Sequence, residues 1–243
     1  MLDFIRIACA VPDVAVANVK HNAEEICKYI AQADEQGVDL LVFPELSLTG
    51  ASCADLFFED ALYKAVKKGL PQLEMIAEDL GFLTQEVLDL RDNSGFPGMK
   101  VLEFAFDSRE PSDYLPHTYT KNSVVYTGTH DNMTMRQWFE TASKEAKEYA
   151  IEFMSLTEKE GLVLGTIRTA MSSVSDMCII QMPDWLNLGG EARMNFPGTL
   201  SDCNWTWRAK DGVFTEKLAE KILAMTRLYG RLGAQKETDS KTV

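Results

Sequence analysis

Acidic side chains recur at the ends of short apolar runs in the later part of this sequence. Residues 75–77 lead to Glu78 and Asp79, 101–106 to Asp107, 124–127 through Gly128 to His130 and Asp131, and 178–182 through Pro183 to Asp184. A single acid in such a place is most often a cap or a solvated loop residue. Four in series mean more, because parallel strands deliver the groups at their C-terminal ends to one face, where (β/α)8 enzymes keep their acid and base groups. A fifth acid, Glu45, follows the apolar run 40–43 in Phe43-Pro44-Glu45-Leu46-Ser47-Leu48-Thr49-Gly50. Trp138, Trp185, Trp205 and Trp207 offer flat apolar faces, suited equally to core packing and to stacking on a ring.

The elements that must position these groups follow from periodicity. Residues 4–11 form an apolar run of strand length, broken by Pro12 and Asp13. Val19, Ala23, Ile26, Ile30 and Ala33 step by fours and threes, the stripe of an amphipathic helix, and Gly37 stops it. Residues 40–43 read as a buried strand. Phe57, Ala61, Leu62 and Ala65 give a second helical stripe, ending in Lys67, Lys68 and Gly69 with Pro71 beyond. Strand, helix, strand, helix opens an α/β fold. After Pro71 the runs that close on acids read as four more strands. Thr84 caps a helix through Leu90, residues 162–174 form a mostly apolar helix, and the polar tail from Gln235 frays.

Bulk composition narrows the partners. The 243 residues are 46% hydrophobic and 25% charged, as in a folded globular chain. A net charge of −13, spread as −5 up to Leu73 and −8 beyond it, leaves no basic patch for a polyanion, so no nucleic-acid partner is expected. Five cysteines without a C-x-x-C pair support neither structural zinc nor a disulfide framework. No G-x-G-x-x-G or G-x-x-x-x-G-K occurs, so no nucleotide cofactor is expected, and the cysteine spacings point to no metal. No apolar run approaches membrane-spanning length, and the N-terminus does not read as a signal peptide, which makes the cytoplasm the expected compartment.

The Glu45 segment, with Gly37-Val38-Asp39-Leu40-Leu41-Val42 and Ala54-Asp55-Leu56-Phe57-Phe58, resembles the opening of the nitrilase-type glutaminase domain of glutamine-dependent NAD synthetases over residues 2–69. The resemblance implies that Glu45 matches the general base of a Glu-Lys-Cys triad, drawing a proton from the thiol that attacks the glutamine amide. The triad's lysine and cysteine lie beyond the matching stretch. Cys9, Cys27 and Cys53 all precede that point, so Glu45 has no partner to activate.

Residues 76–233 resemble a different family, the C-terminal part of 4-α-glucanotransferase, or amylomaltase. The motifs occur in order: Ile76-Ala77-Glu78-Asp79-Leu80-Gly81, Phe96-Pro97-Gly98-Met99-Lys100-Val101-Leu102, Phe104-Ala105-Phe106-Asp107, Tyr126-Thr127-Gly128-Thr129-His130-Asp131-Asn132, Glu191-Ala192-Arg193-Met194-Asn195-Phe196-Pro197-Gly198-Thr199 and Asn204-Trp205-Thr206-Trp207-Arg208. The resemblance implies Glu78 as general acid/base, Asp131 as the acid that steadies an oxocarbenium-like transition state, and sugar contacts from His130, Asp107, Asn132 and Asn195. A maltodextrin or other α-glucan is the implied substrate. Retaining transfer needs one carboxyl protonated to release the leaving chain and another ionised to attack the anomeric carbon. The family's attacking aspartate sits in an Arg-x-Asp-His pattern upstream of the acid/base, and no Arg-x-Asp precedes Glu78 here. Met133 also departs from the polar residue usual at its position.

These readings make the chain an α/β protein in two parts: residues 1–73, a nitrilase-like βαβα fragment, and residues 74–243, the C-terminal half of a glycosidase-type (β/α)8 barrel. Six strands against the eight that closure needs predict an open curved sheet, with Glu78, Asp107, Asp131 and Asp184 at one edge. Uncovered edges invite self-association. Three functional readings follow: a 4-α-glucanotransferase-like chain inactive for want of its nucleophile, a glutamine amidohydrolase fragment, and a non-functional chimera.

Overall fold

In the computed structural model of the protein, residues 6–38, 40–44, 46–50, 52, 60–69, 89, 91–93, 95–106 and 112–232 are described, and the chain divides into two compact units, Met1–Phe96 and Pro97–Val243. The first unit begins with strand β1 (Ile7–Cys9) and helix α1 (Val19–Glu35), followed by β2 (Leu40–Val42) and α2 (Asp60–Gly69). β1 and β2 pair in parallel, with Ile7 opposite Leu40 and Cys9 opposite Val42. The Asn18 side chain caps α1 by accepting the His21 N–H, and Gly37, at φ 65°, takes the left-handed turn that ends it. The buried stripe is Val19, Asn22, Ala23, Ile26 and Ala33, whereas Ile30, expected on it, is 37% exposed.

Asn22 is buried on that stripe because its amide is fully used. It accepts from Ala15 N at 2.8 Å and donates to Ala15 O at 2.8 Å and to Leu48 O at 3.0 Å, tying the turn after β2 to α1. Gly50 closes the same turn at φ 88°, and a β-carbon there would stand 3.3 Å from the Val16 backbone. Val19 and Leu62 form a small core between α1 and α2, flanked by Leu48, Ala65 and Val66.

Among its described residues the second unit carries three strands, β3 (Gly98–Val101), β4 (Ser123–Tyr126) and β5 (Met177–Ile179), in sheet order β3-β4-β5 with both pairings parallel. Their C-terminal ends therefore share one edge, and the described strands do not close into a barrel. Helices α3 (Met135–Thr141), α4 (Lys144–Met154) and α5 (Leu162–Met171) fill the connection from β4 to β5, and α6 (Met182–Trp185) and α7 (Glu216–Leu228) follow. Thr134, Ser143 and Thr215 cap α3, α4 and α7, each supporting its helix by about 1 kcal/mol. Phe106 centres the main core, edge-on to Trp138, Tyr149 and Phe153 at 5.8–6.1 Å. Arg231, past α7, donates to Met171 O, Ser173 O and Ser175 O at 2.7–3.0 Å, so its guanidinium satisfies carbonyls at and beyond the C-terminus of α5.

Two strands sit elsewhere than expected. The run 101–106 is not a strand: β3 ends at Val101, and Leu102–Phe104 is a 3-10 turn. That turn sends Leu102 into one core and Ala105 and Phe106 into another, and a short apolar run cannot distinguish the two geometries. The run 178–182 likewise ends as a strand at Ile179, because Met182 and Pro183 open α6 and carry Asp184 into its first turn. The helix expected over 162–174 stops at Met171, leaving Val174 exposed. The expected strand 75–77, the 73/74 seam, the tail from Gln235 and all of the helix expected over 84–90 except Asp89, which is helical, lie outside the described residues. No helix among those described is long and apolar enough to cross a membrane.

Candidate active site

The chain leaves β4 through Thr127 and Gly128 into a tight turn with His130 and Asp131 at its tip. Asn132 makes the turn: its Oδ1 accepts from Thr129 N at 2.9 Å and Thr129 Oγ1 at 2.8 Å, while its own N–H donates to Thr129 O. Met133 points its side chain toward the main core, where Thr141 Oγ1 donates to its sulfur, so only its backbone enters the site.

The tip is held from the segment after α6. Asn195 Nδ2 donates to Asp131 Oδ1 at 2.6 Å and Asn195 N to His130 O at 3.1 Å. Arg193 Nη2 donates to Asp131 O at 2.8 Å, and the same guanidinium lies 4.3 Å from the Phe196 ring centre. His130 Nε2 is 3.4 Å from Asp131 Oδ1, and its ring lies against Trp205 with centroids 5.0 Å apart. The His130 and Asp131 side chains remain 52% and 44% exposed, so an oriented carboxylate, an imidazole and an indole face solvent together.

Beneath the tip lie two buried acids. Asp184, 2% exposed, closes the base of the turn: Oδ2 accepts from Thr127 Oγ1 at 2.5 Å and Oδ1 from Met135 N at 2.7 Å. Burial pushes its carboxyl up to about 6, against the pull of those two donors. Glu103, from the turn after β3, is pushed up to about 8 by burial and by the neighbouring Asp184, with the Met133 N–H and Arg193 acting in the opposite sense.

Sequence reasoning is met unevenly here. His130, Asp131 and Asn195 come together, and Asn132 builds their turn. Glu45, Glu78 and Asp107 lie outside the described residues. Asp184, expected as an acid at a strand end, lies instead in the first turn of α6 as a buried brace. Glu103 and the Arg193 contact were not foreseen; the signal for Glu103 was a lone carboxylate inside the apolar run Val101-Leu102-Glu103-Phe104-Ala105-Phe106. Of the tryptophans, Trp138 and Trp185 are core and Trp205, 55% exposed, belongs to the site.

Comparison with known proteins decides the family. The model of the 4-alpha-glucanotransferase family matches residues 53–215, about two thirds of the chain. The chain belongs to the 4-alpha-glucanotransferase family. It is 55% identical over 174 residues to the 4-alpha-glucanotransferase of Clostridium butyricum, covering 71% of this chain and 36% of that protein. Against the Streptococcus pneumoniae enzyme it is 46% identical over 172 residues, 70% of this chain and 34% of the other. The chloroplastic/amyloplastic enzyme of Solanum tuberosum is 41% identical over 174 residues, 70% and 30% of the two. The chain thus spans about a third of the length of these relatives. Amylomaltase from Streptococcus agalactiae, solved in complex with acarbose, superposes with TM-score 0.70 at 30% identity over 88% of this chain and 46% of that one. A second model, carbon-nitrogen hydrolase, matches residues 6–85 and overlaps the first.

Proposed function

We propose that this chain carries the donor-sugar part of a 4-α-glucanotransferase site and that its ligand is a maltodextrin or related α-glucan. The observation that carries the reading is the Asp131 turn, where an exposed carboxylate, oriented by Asn195 and flanked by His130 and Trp205, stands at the C-terminal edge of a parallel sheet. An ionised carboxylate there stabilises positive charge developing on a glucosyl ring, and the His130 and Trp205 rings give that sugar a polar and an apolar contact. Glu78 is the acid/base of the reading, with Asp107, Asn132 and Asn195 as further sugar contacts. The family match supports the assignment.

Transfer also needs a nucleophile, and residues 1–73 bring a nitrilase-like segment in place of the Arg-x-Asp-His stretch. The carbon-nitrogen hydrolase match supports a junction of two families. Glu45 is then a general base without its lysine and cysteine. With one member of a cooperating set gone, turnover falls by many orders of magnitude while sugar binding is retained. The three described strands of the second unit leave β3 and β5 as edges, which supports self-association.

The test is incubation of the purified protein with maltotriose and, separately, with glutamine. Neither glucose with longer maltodextrins nor ammonia is expected, whereas maltotriose shifts the Trp205 fluorescence and Asp131→Asn weakens that response. Transfer abolished by Glu78→Gln would show that another acid supplies the nucleophile; no response to maltotriose would remove the sugar reading.

A further inference from the structure

Glu103 is the sole ionisable residue of the run 101–106, and its side chain reaches the underside of the Asp131 turn. It is 8% exposed. Oε2 accepts the Met133 N–H at 3.3 Å, while Oε1 has no hydrogen-bond partner among the described residues. Gly128 leaves the room: a β-carbon on it would stand 2.8 Å from Glu103 Oε1 and 2.7 Å from Gln181 Nε2. Gln181 Nε2 in turn donates to Met133 O at 3.3 Å. The Met133 peptide groups, two residues from Asp131, are therefore gripped on both sides, by Glu103 at the N–H and by Gln181 at the carbonyl. Glu103 N also donates to Thr127 O at 3.3 Å, where the turn begins.

Two buried acids share this floor, and their hydrogen bonding differs. Asp184 receives a donor on each oxygen, which suits a carboxylate, whereas Glu103 receives one donor for two oxygens. Two adjacent anions in a buried floor are disfavoured, so the proton belongs on the acid with fewer donors. The charged groups acting on Glu103 are Asp184 on α6, which opposes its ionisation, and Arg193 from the segment after α6, which favours it. The β4 turn and residue 181 contribute neutral groups, the Met133 N–H, Gly128 and the Gln181 amide.

We infer that Glu103 is a positioning residue for Asp131, standing in the floor of the site as an uncharged acid and fixing, through the Met133 amide, the turn that presents His130 and Asp131. The elevated proton affinity of its carboxyl agrees with this arrangement. Above the pH at which Glu103 ionises, a second negative charge beside Asp184 draws water into the floor and loosens the grip on Met133.

The inference rests on the reading of Asp131 as the charge-stabilising acid, and its test is independent of sugar turnover. In a pH series of amide NMR spectra on the full chain, the Met133 N–H is expected to titrate with a midpoint near 8. Glu103→Gln removes that titration and leaves the Asn195 side-chain amide, which reports on Asp131, at its wild-type position. Glu103→Ala shifts both signals. A Met133 amide that is flat from pH 5 to 9 or titrates near 4.5 overturns the inference, as does an Asn195 amide unmoved by Glu103→Ala. Should Glu103→Ala not fold, the wild-type titration and its loss in Glu103→Gln decide alone. Absence of a maltotriose response with these titrations intact would instead count against the sugar reading.

Discussion

Replacing Glu103 by Gln should change how the second unit's stability depends on pH. The Glu103 carboxyl is raised from the ordinary 4.5 to about 8, so between those values the unfolded chain has released a proton that the folded chain still holds. Folding then takes up a proton, and stability falls as pH rises from about 4.5 to about 8, with no further change from this group above that. A rise of about 3.5 in pKa, at ~1.4 kcal/mol for each power of ten in proton affinity, sets a ceiling of about 5 kcal/mol on the stability lost by pH 8. Gln keeps the acceptor for Met133 N and does not ionise, so the variant should gain on wild type from pH 5 to about 8 and level off above that. Its second amide hydrogen, in the slot beside Gly128, takes back part of that gain. Urea unfolding at pH 5, 7 and 8.5 followed by tryptophan fluorescence measures it, because all four tryptophans lie beyond Pro97 and report the second unit. Parallel pH profiles for the two proteins would refute the reasoning.

Three further outcomes test other parts of the molecule. Gly128→Ala places a methyl group 2.7–2.8 Å from Gln181 and Glu103, so a loss of about 1–3 kcal/mol in urea unfolding is expected, together with a shifted Met133 amide. Arg231→Ala strips three carbonyls of their guanidinium donor and should cost about 1–3 kcal/mol, read as faster amide exchange at the C-terminal turn of α5. Asn22→Ala leaves the Ala15 N–H and the Ala15 and Leu48 carbonyls without their partner, destabilising the first unit by about 2–4 kcal/mol. Circular dichroism should show that early loss of helix, while tryptophan fluorescence stays unchanged.

Periodicity and stop signals were enough for α1, β2, α2 and β4, since Val19, Ala23 and Ile26 step at the helical repeat and Gly37 marks the end with a left-handed turn. They failed where a run is buried whatever its conformation. Val101 to Phe106 is apolar on every side but one, so nothing in its pattern separates a strand from a strand followed by a 3-10 turn. The site shows the same division. The residue types at the Asp131 tip were legible in order along the chain, because a turn that bears His130, Asp131 and Asn132 together is local. What braces the turn was not, since Glu103, Asp184 and Gln181 act from 30 to 57 residues away and their burial is a product of folding. Asp184 looked like one more strand-end acid until its two donors were seen.

The contacts around Asp131 are drawn from a single stretch of the sequence. Every described hydrogen bond and ring contact of the turn, from Glu103 to Trp205, joins residues downstream of Gly98. An exchange of coding sequence anywhere before that point severs none of these contacts, and the Asp131 turn is inherited whole. By its described contacts the turn is therefore a transplantable cassette, its geometry set by neighbours that travel with it in the sequence.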